Sequence, residues 1–339
     1  MAVSKRVRSG IRIFFVVYGV AAFSWLFYSM QARGVDPSVL ASGDAVRVRV
    51  TEETIRFEPV VDTSTVGLIF YPGALVDPKA YAPLARQVAE AGHRVAIVKI
   101  PFRVDVFDWQ QQKVLERTRA VLSEGANRTW VIGGHSRGGK VAARLAGGHP
   151  EWFAGLLLVG TSHPREDDLS HLQIDVVKVY GSEDGLASEA EIEEFAHNLP
   201  AGTRFVRVVG GNHRQFGYYG WQLGDGRATI DRAAQHQQTV GAILEQLKRV
   251  SPGRTIPQLC CFQSSTDLKR GEGAMREVSR RFVMRANKIY HHGKDDLAAA
   301  AALAGCPALG ASRTKPFRRG VEQRVEPAAT RQFIGKNDA

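Results

Sequence analysis

The stretch that decides the fold runs from Trp130 to Leu145 and reads WVIGGHSRGGKVAARL. Its first residues, Trp-Val-Ile, are apolar and favour a buried strand, and the segment from Lys140 onward has helical character. Between them lies a G-x-S-x-G motif, in which small neighbours allow Ser136 to adopt a strained turn and project its hydroxyl group from a sheet edge. In the alternative interpretation, Ser136 only caps the following helix. The flanking strand and helix favour a nucleophile elbow.

The same alternation of apolar runs and helical segments extends along the chain. Val46–Val50 alternates with period two and predicts a half-exposed strand that pairs with residues 55–57. Six further apolar runs, typical of parallel strands buried on both faces, cover residues 66–71, 95–100, 130–133, 156–159, 176–180 and 205–209. Helices are predicted over residues 81–91, 106–122, 141–145, 187–198 and 233–247. The order predicts a doubly wound α/β fold with a mostly parallel sheet.

Two candidate partners of Ser136 follow later strands of this sheet. Asp184 lies in the loop after the strand at residues 176–180, and His213 follows two glycines after the last strand. Loops at the carboxyl ends of parallel strands meet at one edge of the sheet, where ligands bind. The order Ser, Asp, His is that of an acyl-transfer triad, with His213 as general base and Asp184 as the acid that orients it. Glu183 is the alternative acid, and Asp184 could instead cap the next helix.

Acyl transfer also needs N–H donors for the oxyanion that forms on the substrate. The backbone N–H of Arg137, directly after the nucleophile, is one expected donor. The loop Pro72-Gly73-Ala74 after an early strand should supply the second, from Ala74 or alternatively from Leu75. The dipeptide Pro72-Gly73 is equally compatible with a simple turn.

A membrane anchor is predicted near the N-terminus. Residues 13–32 contain no charged side chain and form a run just long enough to cross a bilayer as a helix. Lys5, Arg6, Arg8 and Arg12 precede it, so the positive-inside rule places the N-terminus in the cytoplasm and the rest of the chain outside. A cleaved signal peptide and a buried core helix are the alternatives, but the exit lacks a small-x-small cleavage pattern and the segment has no polar face.

The net charge of +11 is confined to the two ends of the chain. Residues 1–12 carry four basic groups and no acid, and residues 251–339 carry sixteen basic and eight acidic groups, so the part between has a charge near zero. The central part therefore shows no electrostatic signature of nucleic-acid binding. All three cysteines, Cys260, Cys261 and Cys306, lie in the C-terminal region, so the central part has no cysteine-based metal site or disulfide framework.

These patterns divide the chain into five segments. Residues 1–12 form a basic cytoplasmic N-terminus and residues 13–32 the transmembrane anchor. A linker over residues 33–45 leads to a catalytic domain at residues 46–250. Residues 251–339 form a basic extension with the composition of a disordered segment, although a lipid or nucleic-acid clamp is an alternative role for it.

Together these motifs resemble the α/β-hydrolase superfamily, and more closely its cap-less, dienelactone-hydrolase-like branch. The resemblance covers about residues 45–250 and is carried by the strings 70–74, 134–139, 180–185 and 210–213. Residues 215–220 and 224–226 are similar to a stretch of bacterial membrane-anchored members. The resemblance implies an α/β-hydrolase fold and needs no metal or organic cofactor. Ser136 replaces the cysteine nucleophile of dienelactone hydrolase itself, which favours a small ester-like substrate.

Only residues 161–172 separate the loop start at Gly160 from the next strand, too short a segment for a cap domain, so an open pocket is expected. Its candidate lining residues are Leu75, His135, Tyr218, Tyr219 and Trp221. A thioesterase or acyltransferase would use the same three catalytic residues. A membrane-tethered, non-catalytic binding protein on this scaffold is the rival from another class. The substrate and the oligomeric state do not follow from the sequence.

Overall fold

The computed structural model describes residues 5–124 and 128–250, so the predicted C-terminal extension lies outside the described residues. One eight-stranded sheet has the order β1-β2-β4-β3-β5-β6-β7-β8. The strands are β1 (Val46–Val50), β2 (Thr54–Pro59), β3 (Val66–Tyr71), β4 (Val95–Val98), β5 (Thr129–His135), β6 (Gly155–Val159), β7 (Asp175–Gly181) and β8 (Arg204–Val208). Strand β2 pairs antiparallel with β1 and β4, and all other pairs are parallel. The predicted mostly parallel α/β sheet is confirmed.

Helices cover both faces of the sheet. They are α1 (Lys5–Ser29), α2 (Ala82–Glu90), α3 (Asp108–Glu124), α4 (Arg137–Gly148), α5 (Glu189–Glu194) and α6 (Arg232–Arg249). Successive side chains of a strand point to opposite faces. In β3, Leu68 and Phe70 therefore pack in the core with α2 and α6, whereas Ile69 and Tyr71 pack in the core with α3 and α4. This central strand is buried along its whole length, which explains its continuous apolar sequence.

The helix predicted over residues 187–198 is shorter in the structure. Helix α5 begins at Glu189, with Ser188 as its N-cap in a capping box, and a separate 3-10 turn covers residues 196–198. The N–H groups of Leu186 and Ala187 instead donate to the carboxylate of Asp184, at 2.9 and 2.8 Å. A side chain that competes for backbone donors in this way delays the start of a helix.

Helix α1 contains one span, Ile11–Ser29, that is long and apolar enough to cross a membrane. The span is exposed except at its end, where Leu26 is half-buried and Ser29 is buried against the domain. The helix ends at Ser29, because Met30 turns into the core of the domain and is only 2% exposed. The helix therefore ends three residues before residue 32, the end of the predicted anchor. The predicted linker, residues 33–45, holds a 3-10 helix at Pro37–Leu40 and packs apolar side chains on the core. No free spacer separates α1 from the domain.

A buried lysine on β7 makes the stability of this domain pH-dependent. Lys178 is fully buried, and its Nζ donates to the carbonyl oxygen of His163 at 3.0 Å. Burial, reinforced by the charge of Arg165, lowers the pKa of Lys178 from its ordinary value of 10.5 to about 7. Between these two pH values the unfolded chain binds a proton that the folded protein lacks, so this group makes the folded state more stable as the pH rises.

Lys178→Met is expected to remove that pH dependence. The melting temperature of the wild type minus that of the variant should increase from pH 7 to pH 10 by about 5 °C or more, since 1 kcal/mol shifts the midpoint of such a domain by about 2–4 °C. Thermal unfolding of the full chain in detergent measures this difference. Lys248→Met, which changes an exposed lysine on α6, is the control. A difference that stays constant with pH would contradict the assignment.

Candidate active site

The turn between β5 and α4 holds Ser136 in a strained backbone conformation. Its φ is 54° and its ψ is −122°, a combination that non-glycine residues rarely adopt. The turn depends on small neighbours, since a Cβ atom at Gly138 would collide with the carbonyl oxygens of Tyr71 and Pro72, and one at Gly134 with the backbone of Gly138. The motif therefore builds the sharp strand-to-helix turn that it predicts, with Ser136 half-exposed at the carboxyl edge of the sheet.

His213 and Asp184 form a buried pair at the same edge. Nδ1 of His213 lies 2.9 and 3.0 Å from the two carboxylate oxygens of Asp184, and the two side chains are 2% and 0% exposed. The two backbone donors at Leu186 and Ala187 hold the carboxylate from the other side. Glu183, the alternative acid, is exposed and accepts a hydrogen bond from Ser182. The structure thus pairs His213 with Asp184 and not with Glu183.

This pairing determines the role of the second imidazole nitrogen. A carboxylate only accepts hydrogen bonds, so Nδ1 of His213 carries the proton and Nε2 presents a free lone pair. Nε2 is buried and has no hydrogen-bond partner in the described part of the chain, the Ser136 hydroxyl included. Hydrogen bonds between nucleophile and base are often long in the free enzyme and shorten when substrate binds. Nε2 of His213 is therefore positioned to act as a base.

The expected oxyanion donors lie next to the elbow. Within the described residues, no acceptor takes the N–H of Ala74 or the N–H of Arg137. The N–H of Leu75, the alternative donor, is already bound to the carbonyl oxygen of Arg103 at 2.7 Å. Because Leu75 N–H is already bound, the N–H of Ala74 is the donor in this loop that is open to a substrate oxyanion. Leu75 makes the turn with a positive φ of 63°.

Tyr81 and His135 form a buried link that sequence reasoning missed. The hydroxyl oxygen of Tyr81 accepts from the N–H of Gly73 at 3.1 Å and lies 2.8 Å from Nδ1 of His135. The imidazole of His135 in turn packs against that of His213, with ring centroids 4.5 Å apart. Burial holds the pKa of His135 well below its usual value of 6.5, so this ring is neutral and does not repel a protonated His213. No sequence pattern marks Tyr81.

Asp225 supports the histidine loop from the other side. Its two carboxylate oxygens accept from the backbone N–H groups of His213 and Arg214, at 2.9 and 3.0 Å. Burial raises the pKa of Asp225, partly offset by these two hydrogen bonds. In the sequence, Asp225 is marked only by the two glycines that flank it in the string Gly224-Asp225-Gly226, which follows His213. Asp225 is not among the predicted site residues, because its role depends on hydrogen bonds to the backbone of the histidine loop, which no sequence pattern reveals.

The other predicted lining residues lie at different depths. His135 and Tyr219 are buried at 1% exposure, Tyr218 packs against His236 and the guanidinium of Arg232, and Trp221 is exposed at the edge of the site. Residues 160–174 between β6 and β7 form neither helix nor strand, so no lid domain is inserted there. Among the described residues, no three His, Cys, Asp or Glu side chains group so as to hold a metal ion.

Comparison with family models agrees with this architecture. Residues 67–237 match the model described as the alpha/beta hydrolase family, and the chain belongs to that family. A second model, described as the YiiM-like 3-alpha helix domain, matches residues 282–324, which lie outside the described residues. A search of curated proteins finds no significant match.

The solved structures to which this chain is similar include a serine hydrolase, a proposed dienelactone hydrolase and a serine hydrolase homologue. A serine hydrolase without a lid from Xanthomonas campestris is 17% identical, with a TM-score of 0.47 over 62% of this chain and 98% of its own. A proposed dienelactone hydrolase from Klebsiella pneumoniae is 14% identical, with a TM-score of 0.46 over 61% of this chain and 100% of its own. A serine hydrolase homologue from Coxiella burnetii is 13% identical, with a TM-score of 0.41 over 51% and 90%.

Proposed function

We infer that this chain is a serine hydrolase that cleaves ester-like bonds through an acyl-enzyme, with Ser136 as nucleophile. The observation that carries this proposal is the buried His213–Asp184 pair, whose free Nε2 lies at the sheet edge that carries the strained Ser136. His135 and His236 also carry unpaired buried ring nitrogens, but among the described residues neither ring is oriented by a carboxylate as His213 is by Asp184. A free, buried and oriented base is what nucleophilic catalysis requires.

The proposed reaction has two steps. Nε2 of His213 takes the proton of the Ser136 hydroxyl, and Oγ attacks the substrate carbonyl carbon. The N–H groups of Arg137 and Ala74 stabilise the oxyanion, and the imidazolium then gives its proton to the leaving alcohol. Water, activated by the same nitrogen, releases the acid from the acyl-enzyme. Asp184 keeps the proton on Nδ1 throughout and stabilises the imidazolium, while neutral His135 places no positive charge beside it.

We place the enzyme in a cell membrane as a single-pass protein. The exposed apolar span of α1 supports an anchor, and the basic residues before it support a cytoplasmic N-terminus with the hydrolase domain on the other side. The span is exposed along most of its length, which argues against the alternative of a core helix, because a core helix would be buried by the domain.

Labelling with a fluorescent fluorophosphonate tests the reaction class. We expect the full chain in native membranes to be labelled, and the labelled tryptic peptide to contain Ser136, because only an activated serine reacts with this probe. Excess p-nitrophenyl butyrate should compete with labelling and should itself be hydrolysed. Heat-denatured protein is the control, since the triad geometry is lost on unfolding. Absence of labelling in folded protein would instead support a non-catalytic binding scaffold.

A further inference from the structure

The end of α1 is joined directly to the loops that carry the active site. The hydroxyl of Ser29 donates to the carbonyl oxygen of Trp221, and the N–H of Gly220 donates to the carbonyl oxygen of Ser29 at 2.8 Å. On the other flank, the carbonyl oxygen of Met30 accepts from the N–H of Asp77 at 2.9 Å. The helix therefore ends between the loop that follows His213 and the loop that holds the oxyanion donors.

Aromatic side chains of the apolar span itself contact the domain. The ring of Trp25 lies 5.3 Å from that of Trp221, and the guanidinium of Arg103 lies 5.5 Å from the ring centroid of Phe27. Trp25 and Phe27 both belong to the span Ile11–Ser29. Because Trp221 and Arg103 contact the end of the apolar span within a few ångströms, they lie at the depth where the helix leaves the hydrocarbon core of the bilayer. Tryptophan and arginine are residue types that favour this interfacial layer.

An exposed apolar rim continues from these contact points around the site. It consists of Phe102, Val106, Phe107, Trp109, Trp221 and Leu223, of which Phe102 and Leu223 are 80% and 73% exposed. Phe102 and Trp109 contact each other edge to face, with ring centroids 5.9 Å apart. Several large exposed apolar side chains at one edge indicate a surface that contacts an apolar environment.

The rim is connected to the catalytic groups on both sides. The carbonyl oxygen of Arg103, next to Phe102, accepts from Leu75 in the oxyanion loop at 2.7 Å. Nη2 of Arg137, the residue after the nucleophile, donates to the carbonyl oxygen of Asp105 at 3.1 Å. On the histidine side, Leu223 lies two residues before Asp225, which holds the backbone of His213. Hydrogen bonds therefore connect the loops of the rim to the oxyanion loop, to the elbow and to the histidine loop.

The surroundings of Phe102 also fit the polar layer of a bilayer. A depression beside it is lined by Lys79, Lys99, Arg103 and Arg117, with Glu52 and Asp77 as its acidic members. Basic groups adjacent to exposed aromatic rings match the arrangement of lipid phosphates above acyl chains. The basic depression and the exposed ring of Phe102 lie on the same edge of the domain as the end of α1.

We propose that the apolar rim lies in the interfacial layer of the bilayer and that the enzyme takes its substrate from the membrane, as an ester whose acyl chain lies in the bilayer. The anchor, the rim and the mouth of the site share one edge, so an amphiphile reaches Ser136 without passing through water. This inference rests on the proposed hydrolase function and anchor, and it adds the class of substrate. A short water-soluble ester would need neither the rim nor its contact with α1.

Lipid contact is tested first, in a way that does not depend on activity. In the full chain with Cys260, Cys261 and Cys306 changed to serine, Leu223→Cys is labelled with an environment-sensitive fluorophore in phosphatidylcholine–phosphatidylglycerol vesicles. Val61→Cys is the matched control, because Val61 is equally exposed at 72% but lies before β3, at the opposite sheet edge. We expect nitroxide-labelled phospholipid to quench the Leu223 label about threefold or more above the control. Equal quenching at both positions would overturn the membrane contact.

Substrate delivery is tested with rim variants in the same vesicles. Phe107→Asp and Leu223→Asp should lower hydrolysis of vesicle-embedded p-nitrophenyl palmitate by about tenfold and leave hydrolysis of soluble p-nitrophenyl butyrate within about twofold. Val61→Asp should change neither rate. Equal rates for the rim variants and the wild type on the embedded ester would overturn the proposal.

The two assays separate this inference from the proposals on which it rests. Failure of the wild type on both esters and on fluorophosphonate labelling would refute the hydrolase function, whereas the quenching result would still report the membrane contact. Recovery of the full chain in the soluble fraction of lysed cells without detergent would refute the anchor. Turnover of the soluble ester together with failure on the embedded ester would refute the substrate class alone.

Discussion

Ser136→Ala is expected to abolish fluorophosphonate labelling and to lower kcat for short-chain p-nitrophenyl esters by about 10⁴-fold or more. Without Oγ no acyl-enzyme forms, and His213 can only direct water at the bound ester, assisted by the oxyanion donors. Steady-state hydrolysis by purified full chain, with labelling assayed in parallel, measures both effects. The fold should persist, because the substitution removes one half-exposed hydroxyl for which no partner is observed among the described residues.

Ser162→Ala is the matched control for this experiment. Ser162 follows the carboxyl end of β6 at the same sheet edge, but its hydroxyl group is bound to the guanidinium of Arg165. This variant should keep both labelling and turnover. If Ser136→Ala kept its labelling, the reactive serine would lie elsewhere and the elbow would only cap α4.

Asp184→Asn is expected to lower kcat by about 10⁴-fold with little change in KM. An asparagine that donates its amide proton to Nδ1 of His213 favours the tautomer with the proton on Nε2, and that nitrogen then no longer accepts the serine proton. The amide oxygen can still accept from the N–H groups of Leu186 and Ala187, so the loop should keep its structure. Ester hydrolysis across the pH range and a melting curve of the variant check the two parts of this prediction.

Glu183→Gln separates orientation of the histidine from a general loss of negative charge. It removes the same charge one residue away, on an exposed side chain whose observed partner among the described residues is Ser182. We expect its kcat to stay within about twofold of the wild type, because an exposed charge is screened by solvent. A large loss in Glu183→Gln together with a normal Asp184→Asn would assign the acid to Glu183 instead.

Much of the fold could be predicted because its signals are local. The strands buried on both faces read as continuous apolar runs, and the sheet contains each predicted run with ends shifted by a few residues at most. The helices deviate more: α4 is longer than predicted at both ends, and α5 begins later than predicted, because Asp184 takes the N–H groups that would have begun the helix at Ala187. The uncharged run that continues to residue 32 likewise does not reveal that α1 ends at Ser29 and that Met30 packs in the core.

From the sequence alone, Ser136, Asp184 and His213 could be assigned to one site. Each follows a strand, and parallel strands bring their carboxyl ends to the same edge. Only the tertiary structure decided that His213 pairs with Asp184 rather than Glu183, that Tyr81 joins Gly73 to His135, and that α1 ends beside Trp221. These contacts link residues far apart in the chain, such as Ser29 and Trp221 at a separation of 192. The packing of loops creates them, and packing leaves no periodic pattern in the sequence.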